Sequence, residues 1–138
     1  ESIMIHGSGT DVKKIKRIEK TIDRFKSRFK VRVFTDQEVA RSESRILSTN
    51  SYAKRYAAKE ACSKALGTGF RKGVYWKDIE ILNNRYGKPE IFLHNGAKKR
   101  LDFLIPQGAI GKVDLSITDE YPYAQATVII TTEMLSYG

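Results

Sequence analysis

The sequence has one cysteine, Cys62, in 138 residues, so it offers no intramolecular disulfide and no second thiol for a zinc ligand set. A reducing compartment suits such a chain. The two histidines, His6 and His94, have no ligand spacing between them, which leaves structural or solvated roles as their plain reading. No apolar run approaches the roughly 18 residues of a membrane span, and Glu1-Ser2-Ile3-Met4 lacks the basic flank and apolar block of a secretory signal. A soluble, cytoplasmic protein without membrane insertion is expected. There is no glycine-spaced Gly-Lys-Ser/Thr run ahead of a helix, which excludes a Walker phosphate loop. No internal repeat or low-complexity stretch interrupts the chain, so 1–138 is read as a single domain of ordinary size. Acidic residues are the scarcer charge: 16 Asp and Glu stand against 25 Lys and Arg, a formal net charge of +9. That surplus calls for an acidic partner. It does not by itself choose among nucleic acid, an anionic surface, a phosphate-rich ligand and an acidic protein.

What is present reads as a mixed sequence of elements. Residues 3–8 are apolar enough for a strand, and Gly7, Gly9 and Thr10-Asp11 supply a turn and an N-cap signal behind it. From Val12, the residues Val12, Ile15, Ile18, Ile22, Phe25 and Phe29 recur at three- and four-residue steps and collect on one face of a helix. Lys13, Lys14, Arg17, Lys20 and Arg24 lie between them, which predicts a long helix that is apolar inside and basic outside. Thr35 with Glu38 forms a capping box, residues 42–50 read as a polar linker, and a further helix is predicted over 52–66, stopped by Gly67. Strands are predicted over 76–82 and 89–93 as a hairpin, and over 113–118 and 123–132 around the turn 119–122. Asn95 is the expected cap of a short basic helix ending before Pro106. The sum is an α+β fold with a largely antiparallel sheet and one long amphipathic helix.

Few residues in this pattern point to chemistry. Asp11, at the predicted strand-to-helix junction, either caps the helix or faces a cation. Glu60 and Lys64 stand one helical turn apart in the favourable order for an ordinary surface ion pair. Ala53 and Ala57 are read as leaving open space for a large ligand beside them, with Glu60 on a metal and Lys64 on a phosphate. Gly67-Thr68-Gly69 is a C-cap that also clears side chains from a ligand's path, and Gly87-Lys88-Pro89 is a hairpin connection. The aromatic residues are assigned to the core, since no base-stacking pattern is present.

Gly9-Thr10-Asp11, Phe34-Thr35 with Glu38, and Arg55-Tyr56-Ala57-Ala58-Lys59-Glu60-Ala61 running into Lys64-Ala65-Leu66-Gly67-Thr68-Gly69 resemble, in that order, the holo-acyl-carrier-protein synthases. These are the small bacterial 4′-phosphopantetheinyl transferases, and the likeness continues through residues 73–80 and 87–89 to Leu115-Ser116-Ile117. Such enzymes move the phosphopantetheine arm of coenzyme A to a serine of apo-acyl carrier protein, release adenosine 3′,5′-bisphosphate and serve fatty acid biosynthesis. The resemblance implies Mg²⁺ held by Asp11 and Glu60, and a homotrimer with active sites between neighbouring subunits. It implies that Lys64 contacts the pyrophosphate and acts with Glu60 in catalysis. Arg55, Gly67, Gly69, Lys88 and Pro89 would help hold coenzyme A. Glu60 becomes a candidate to take the serine proton, directly or through water. The acidic carrier protein would lie against Lys13, Lys14, Arg17, Lys20 and Arg24, with Arg17 foremost.

One departure stands out. Where the family follows its C-terminal strand with a Ser-His pair, this chain reads Ser116-Ile117-Thr118-Asp119, and an aspartate near phosphates repels them unless lysines compensate. The competing reading of the charge is a nonenzymatic nucleic-acid-binding domain that uses the basic helix.

Overall fold

The first strand runs further than its composition suggests. In the computed structural model, which describes residues 3–134, β1 spans Ile3–Lys14 and pairs antiparallel with β5, Tyr123–Met134. Asp11 therefore lies inside the strand, opposite Ala126, and is not a helix cap. The ladder explains why: β1 keeps a partner as far as Lys14 opposite Tyr123, and the chain turns only where the Ile15 amide donates to the Pro122 carbonyl at 3.0 Å. Helix α1, Ile15–Phe25, begins there with Lys14 at its N-cap and no side-chain cap. Lys13 and Lys14 belong to the strand end. The long helix expected through Phe29 is also divided, because Lys26 adopts φ +50° between α1 and α2, Ser27–Val33.

The capping box forms as the sequence implies: the Glu38 amide donates to Thr35 Oγ1 at 3.3 Å, and the Thr35 amide donates to Glu38 Oε1 at 2.9 Å. It opens α3, Asp36–Glu43. The expected linker is shortened because α4, Ser48–Ala65, starts about a turn early. It ends at Gly67, whose φ of +80° is the left-handed conformation that favours glycine. A 3-10 turn at Trp76–Asp78 takes the start of the expected strand, and the hairpin is β2, Ile79–Asn83, with β3, Pro89–Leu93. Helix α5, Asn95–Leu104, follows His94 at the N-cap, and Asn95 does not cap it: its side-chain Nδ2 donates instead to Asp78 Oδ1 at 3.2 Å. Strand β4, Ala109–Glu120, completes an antiparallel sheet ordered β1-β5-β4. The fold is α+β, as expected.

Alternation along β5 sets the core. Ala124, Ala126, Val128, Ile130 and Thr132 are buried against α4, and α4 returns Ala57, Ala58, Ala61 and Ala65. These small residues bring helix and sheet together closely enough that a Cβ on Gly9 would collide with the Ala61 carbonyl oxygen and one on Gly7 with that of Ala65. Ala53 and Ala57 are fully buried, so they pack the core and open no space for a ligand. A second core holds Ile15, Ile18, Phe34 and Tyr52, extended by an aromatic column in which Phe70, Trp76, Tyr56, Phe29 and Phe34 follow one another at centroid distances of 3.7 to 5.8 Å. Between the elements lies a fully buried ion pair: Lys59 Nζ is 2.8 Å from Glu38 Oε1 and also donates to the carbonyls of Trp76 and Ile79. No helix among the described residues is long and apolar enough to cross a membrane.

Candidate active site

Residues 9 and 11 share one face of β1, so the close approach of Gly9 to α4 turns Asp11 toward the same helix. There Lys64 Nζ lies 3.2 Å from Asp11 Oδ1 and also donates to the Thr10 carbonyl at 3.1 Å. Glu60 sits one turn earlier on α4. It does not pair with Lys64; its Oε2 lies 3.0 Å from Lys13 Nζ, which is 3.7 Å from Asp11 Oδ2. The structure thus brings together Asp11, Glu60 and Lys64 from positions far apart in sequence, and adds Lys13 from the strand.

The cluster sets two carboxylates against two ammonium groups. Asp11 is 6% exposed, and burial followed by the neighbouring Glu60 carboxylate holds its carboxyl above the usual range, against the pull of Lys64 and Lys13. Its Oδ2 is buried and makes no hydrogen bond. A tightly placed carboxylate with an unpartnered oxygen beside a second carboxylate fits Mg²⁺, which takes oxygen ligands and commonly uses one or two carboxylates with substrate phosphate and water. Among the described residues no group of three or more His, Cys, Asp and Glu forms an all-protein cage. The ring of Tyr56, one turn before Glu60, stacks on Trp76, and burial and Glu60 push its hydroxyl up to about 12.

A second feature lies at Arg55. A cleft of about 570 Å³ is lined by Arg41, Arg45, Lys54, Arg55 and Asp119 among others. Arg55 is buried, donates to Ser51 Oγ at 2.8 Å and to Asn83 Oδ1, and leaves its buried Nε without a partner. Lys54 Nζ lies 3.7 Å from Asp119 Oδ2, so the aspartate that departs from the family pattern already has a lysine against it. Four cations against one carboxylate give this cleft a net positive lining, which attracts anionic groups.

The remaining residues fall into place around these two features. Gly67 and Gly69 both take positive φ at the end of α4, close to Lys64. Gly87 lines the cleft, and Lys88 and Pro89 follow it out of a turn that Asn84 organises by accepting from the Tyr86 and Lys88 amides. Arg17, Lys20 and Arg24 are exposed on α1, with Lys14 exposed just before it. Lys13 differs from them because it faces the carboxylates. Sequence reasoning did not find that role: a lysine among many carries no signal, and only the continuation of β1 aims it inward. It also missed the buried pairing of Lys59 with Glu38, although Lys59 lies within the family-like run 55–61.

The sequence pattern of the 4′-phosphopantetheinyl transferase superfamily matches residues 7–126. A holo-[acyl-carrier-protein] synthase from Parvibaculum lavamentivorans is 53% identical over 128 residues, covering 93% of this chain and 96% of that protein. Among solved structures, the holo-[acyl-carrier-protein] synthase of Neisseria meningitidis superposes with a TM-score of 0.81 at 38% identity, covering 92% of this chain and 98% of that one. The Helicobacter pylori enzyme of the same name, solved in complex with coenzyme A, superposes with a TM-score of 0.75 at 32% identity, covering 89% and 98%. The chain belongs to the 4′-phosphopantetheinyl transferase superfamily and, within it, to the holo-[acyl-carrier-protein] synthases. The nucleic-acid-binding alternative finds no support in these likenesses.

Proposed function

We propose that the chain transfers the 4′-phosphopantetheine group from coenzyme A to a serine hydroxyl of apo-acyl carrier protein, in support of fatty acid biosynthesis. The observation that carries this reading is the meeting of Asp11, Glu60 and Lys64 at the junction of β1 and α4, in a chain of this family. In the reaction the serine oxygen forms a bond to the phosphorus nearest the pantetheine, and the bond from that phosphorus to the bridging oxygen of the pyrophosphate breaks. Adenosine 3′,5′-bisphosphate leaves. Asp11 and Glu60 would hold Mg²⁺, which when bound would supply positive charge to the pyrophosphate. Lys64 offsets charge on the phosphoryl oxygens, and the Glu60 carboxylate takes the serine proton. The Arg41, Arg45, Lys54 and Arg55 cleft receives the phosphates of the nucleotide end, helped by the 87–89 turn, while Gly67 and Gly69 keep the end of α4 clear of side chains.

The same geometry supports the homotrimer. Arg55 and Glu60 are five positions apart on α4, about 140° around the helix, so the anion cleft and the carboxylates face different flanks of one chain. A site completed by a neighbouring subunit joins the two halves. The sheet face turned away from α4 exposes Ile5, Val12, Ile110 and Ile129, apolar surface suited to contact between copies. The acidic carrier protein docks on Lys14, Arg17, Lys20 and Arg24. Beside them Phe25, Phe29, Arg28 and Arg32 line a groove of about 390 Å³ that combines apolar contact with cationic charge. A cytoplasmic setting suits the lone buried Cys62, and the adjoining cores suit one domain over 1–138.

The test is intact-protein mass spectrometry of apo-acyl carrier protein after incubation with the protein, coenzyme A and Mg²⁺, with EDTA and Glu60→Ala as controls. A metal-dependent gain of one phosphopantetheine arm, absent with Glu60→Ala, is the expected result. No gain on a carrier protein that another transferase modifies would overturn it.

A further inference from the structure

Lys13 stands apart from the other lysines of the first thirty residues. Its Nζ is 3.0 Å from Glu60 Oε2 and 3.7 Å from Asp11 Oδ2, while Lys64 takes the other edge of Asp11, 3.2 Å from Oδ1. Two ammonium groups thus balance two carboxylates, and the cluster is close to neutral before any ion enters. Lys13 is also held in place: its side chain is 28% exposed, and its Nζ sits 5.6 Å from the centroid of the Tyr56 ring, which is itself stacked on Trp76. Asp11 Oδ2, the oxygen on the Lys13 side, makes no hydrogen bond, so the attraction between them is coulombic and leaves the oxygen available to a stronger ligand.

We infer that Lys13 is a tethered counter-ion of the carboxylate pair and competes with a divalent cation for Asp11 and Glu60. The inference rests on the metal reading of that pair and deepens it by giving Lys13 a role the pair alone does not assign. An ammonium and a divalent ion cannot share the same two oxygens, and like charges at contact distance repel strongly in a partly buried site. A cation must therefore push the Lys13 ammonium outward to reach Oδ2 of Asp11 and Oε2 of Glu60. The free protein binds the divalent ion weakly for this reason, and the negative charge of a pyrophosphate donor restores the balance once it arrives.

The test uses Mn²⁺, which shares the oxygen preference of Mg²⁺ and is counted in solution by its paramagnetic resonance signal. It is titrated into the nucleotide-free full chain for the wild type and for Lys13→Met, Lys13→Gln, Lys13→Arg and Asp11→Asn. Both neutral variants are expected to bind Mn²⁺ about tenfold more tightly than the wild type, and Lys13→Arg, which keeps the charge, to bind like the wild type. Asp11→Asn is expected to lose binding. If Asp11→Asn binds as well as the wild type, the metal reading of the pair fails and the counter-ion role falls with it. If Asp11→Asn loses binding while Lys13→Met and Lys13→Gln bind no more tightly, the metal reading stands and the role of Lys13 is overturned.

Discussion

Replacing Lys59 by methionine tests how the middle of the fold is held. Lys59 and Glu38 are both fully buried, their charged atoms 2.8 Å apart. Glu38 also accepts the Thr35 amide at 2.9 Å and the Ile81 amide at 3.0 Å, so one carboxylate joins the start of α3 to β2. The ammonium serves α4 in the same way by donating to the Trp76 and Ile79 carbonyls. Burial lowers the affinity of Lys59 for its proton, and the Glu38 charge opposes that. Methionine fills the volume of the lysine stem but strands a buried carboxylate and two carbonyls, a loss of about 3–5 kcal/mol. With an unfolding entropy of about 0.3 kcal/mol/K for a chain of this length, the midpoint falls by roughly 10–17 °C. Calorimetry or circular dichroism on heating reads this directly. Adding Glu38→Gln removes the stranded charge while keeping one acceptor for the amides, so the double variant is expected to regain at least about 1 kcal/mol over Lys59→Met. A single-variant loss below about 1 kcal/mol, or strict additivity of the two changes, would refute the reasoning.

Further outcomes follow from the site. Asp11→Asn is expected to abolish metal-dependent transfer and to raise the melting temperature of the metal-free protein at neutral pH. A carboxyl raised above its unfolded value gives stability that is present below the ordinary aspartate range and lost as pH rises through the folded value, so the variant's advantage should vanish as pH falls below 4 or so; melting curves from acid to neutral pH check it. Arg17→Glu should raise the apparent KM for carrier protein severalfold with little change in kcat, more at low salt than at high salt, in steady-state transfer assays. Asp119→His removes the one carboxylate of the cation cleft and frees Lys54, so calorimetry should show coenzyme A binding about threefold to tenfold tighter; an unchanged dissociation constant would take Asp119 out of the nucleotide site.

The parts of this protein legible from the chain alone are those that local physics decides. The capping box at Thr35 and Glu38, the stop at Gly67 and the hairpin turn before Pro89 each depend on a few adjacent residues, and each formed where the sequence placed it. The motif order around Asp11, Glu60 and Lys64 was likewise enough to indicate the family. Tertiary structure decided what depends on a distant partner. Whether residues 9–14 continued as a strand or entered a helix was settled by the length of β5 beside them, since backbone groups keep a ladder partner as long as one is offered. That continuation turned Asp11 from an expected cap into a buried carboxylate, and Lys13 from one of a row of surface cations into the neighbour of Glu60. The same packing closed Ala53 and Ala57 into the core and buried Lys59 against Glu38, because α4 lies where glycines in β1 and alanines on the helix let two backbones approach. Propensity speaks for a residue and its neighbours along the chain, whereas the charge that a side chain meets across 50 residues is set only once the sheet has closed on the helix.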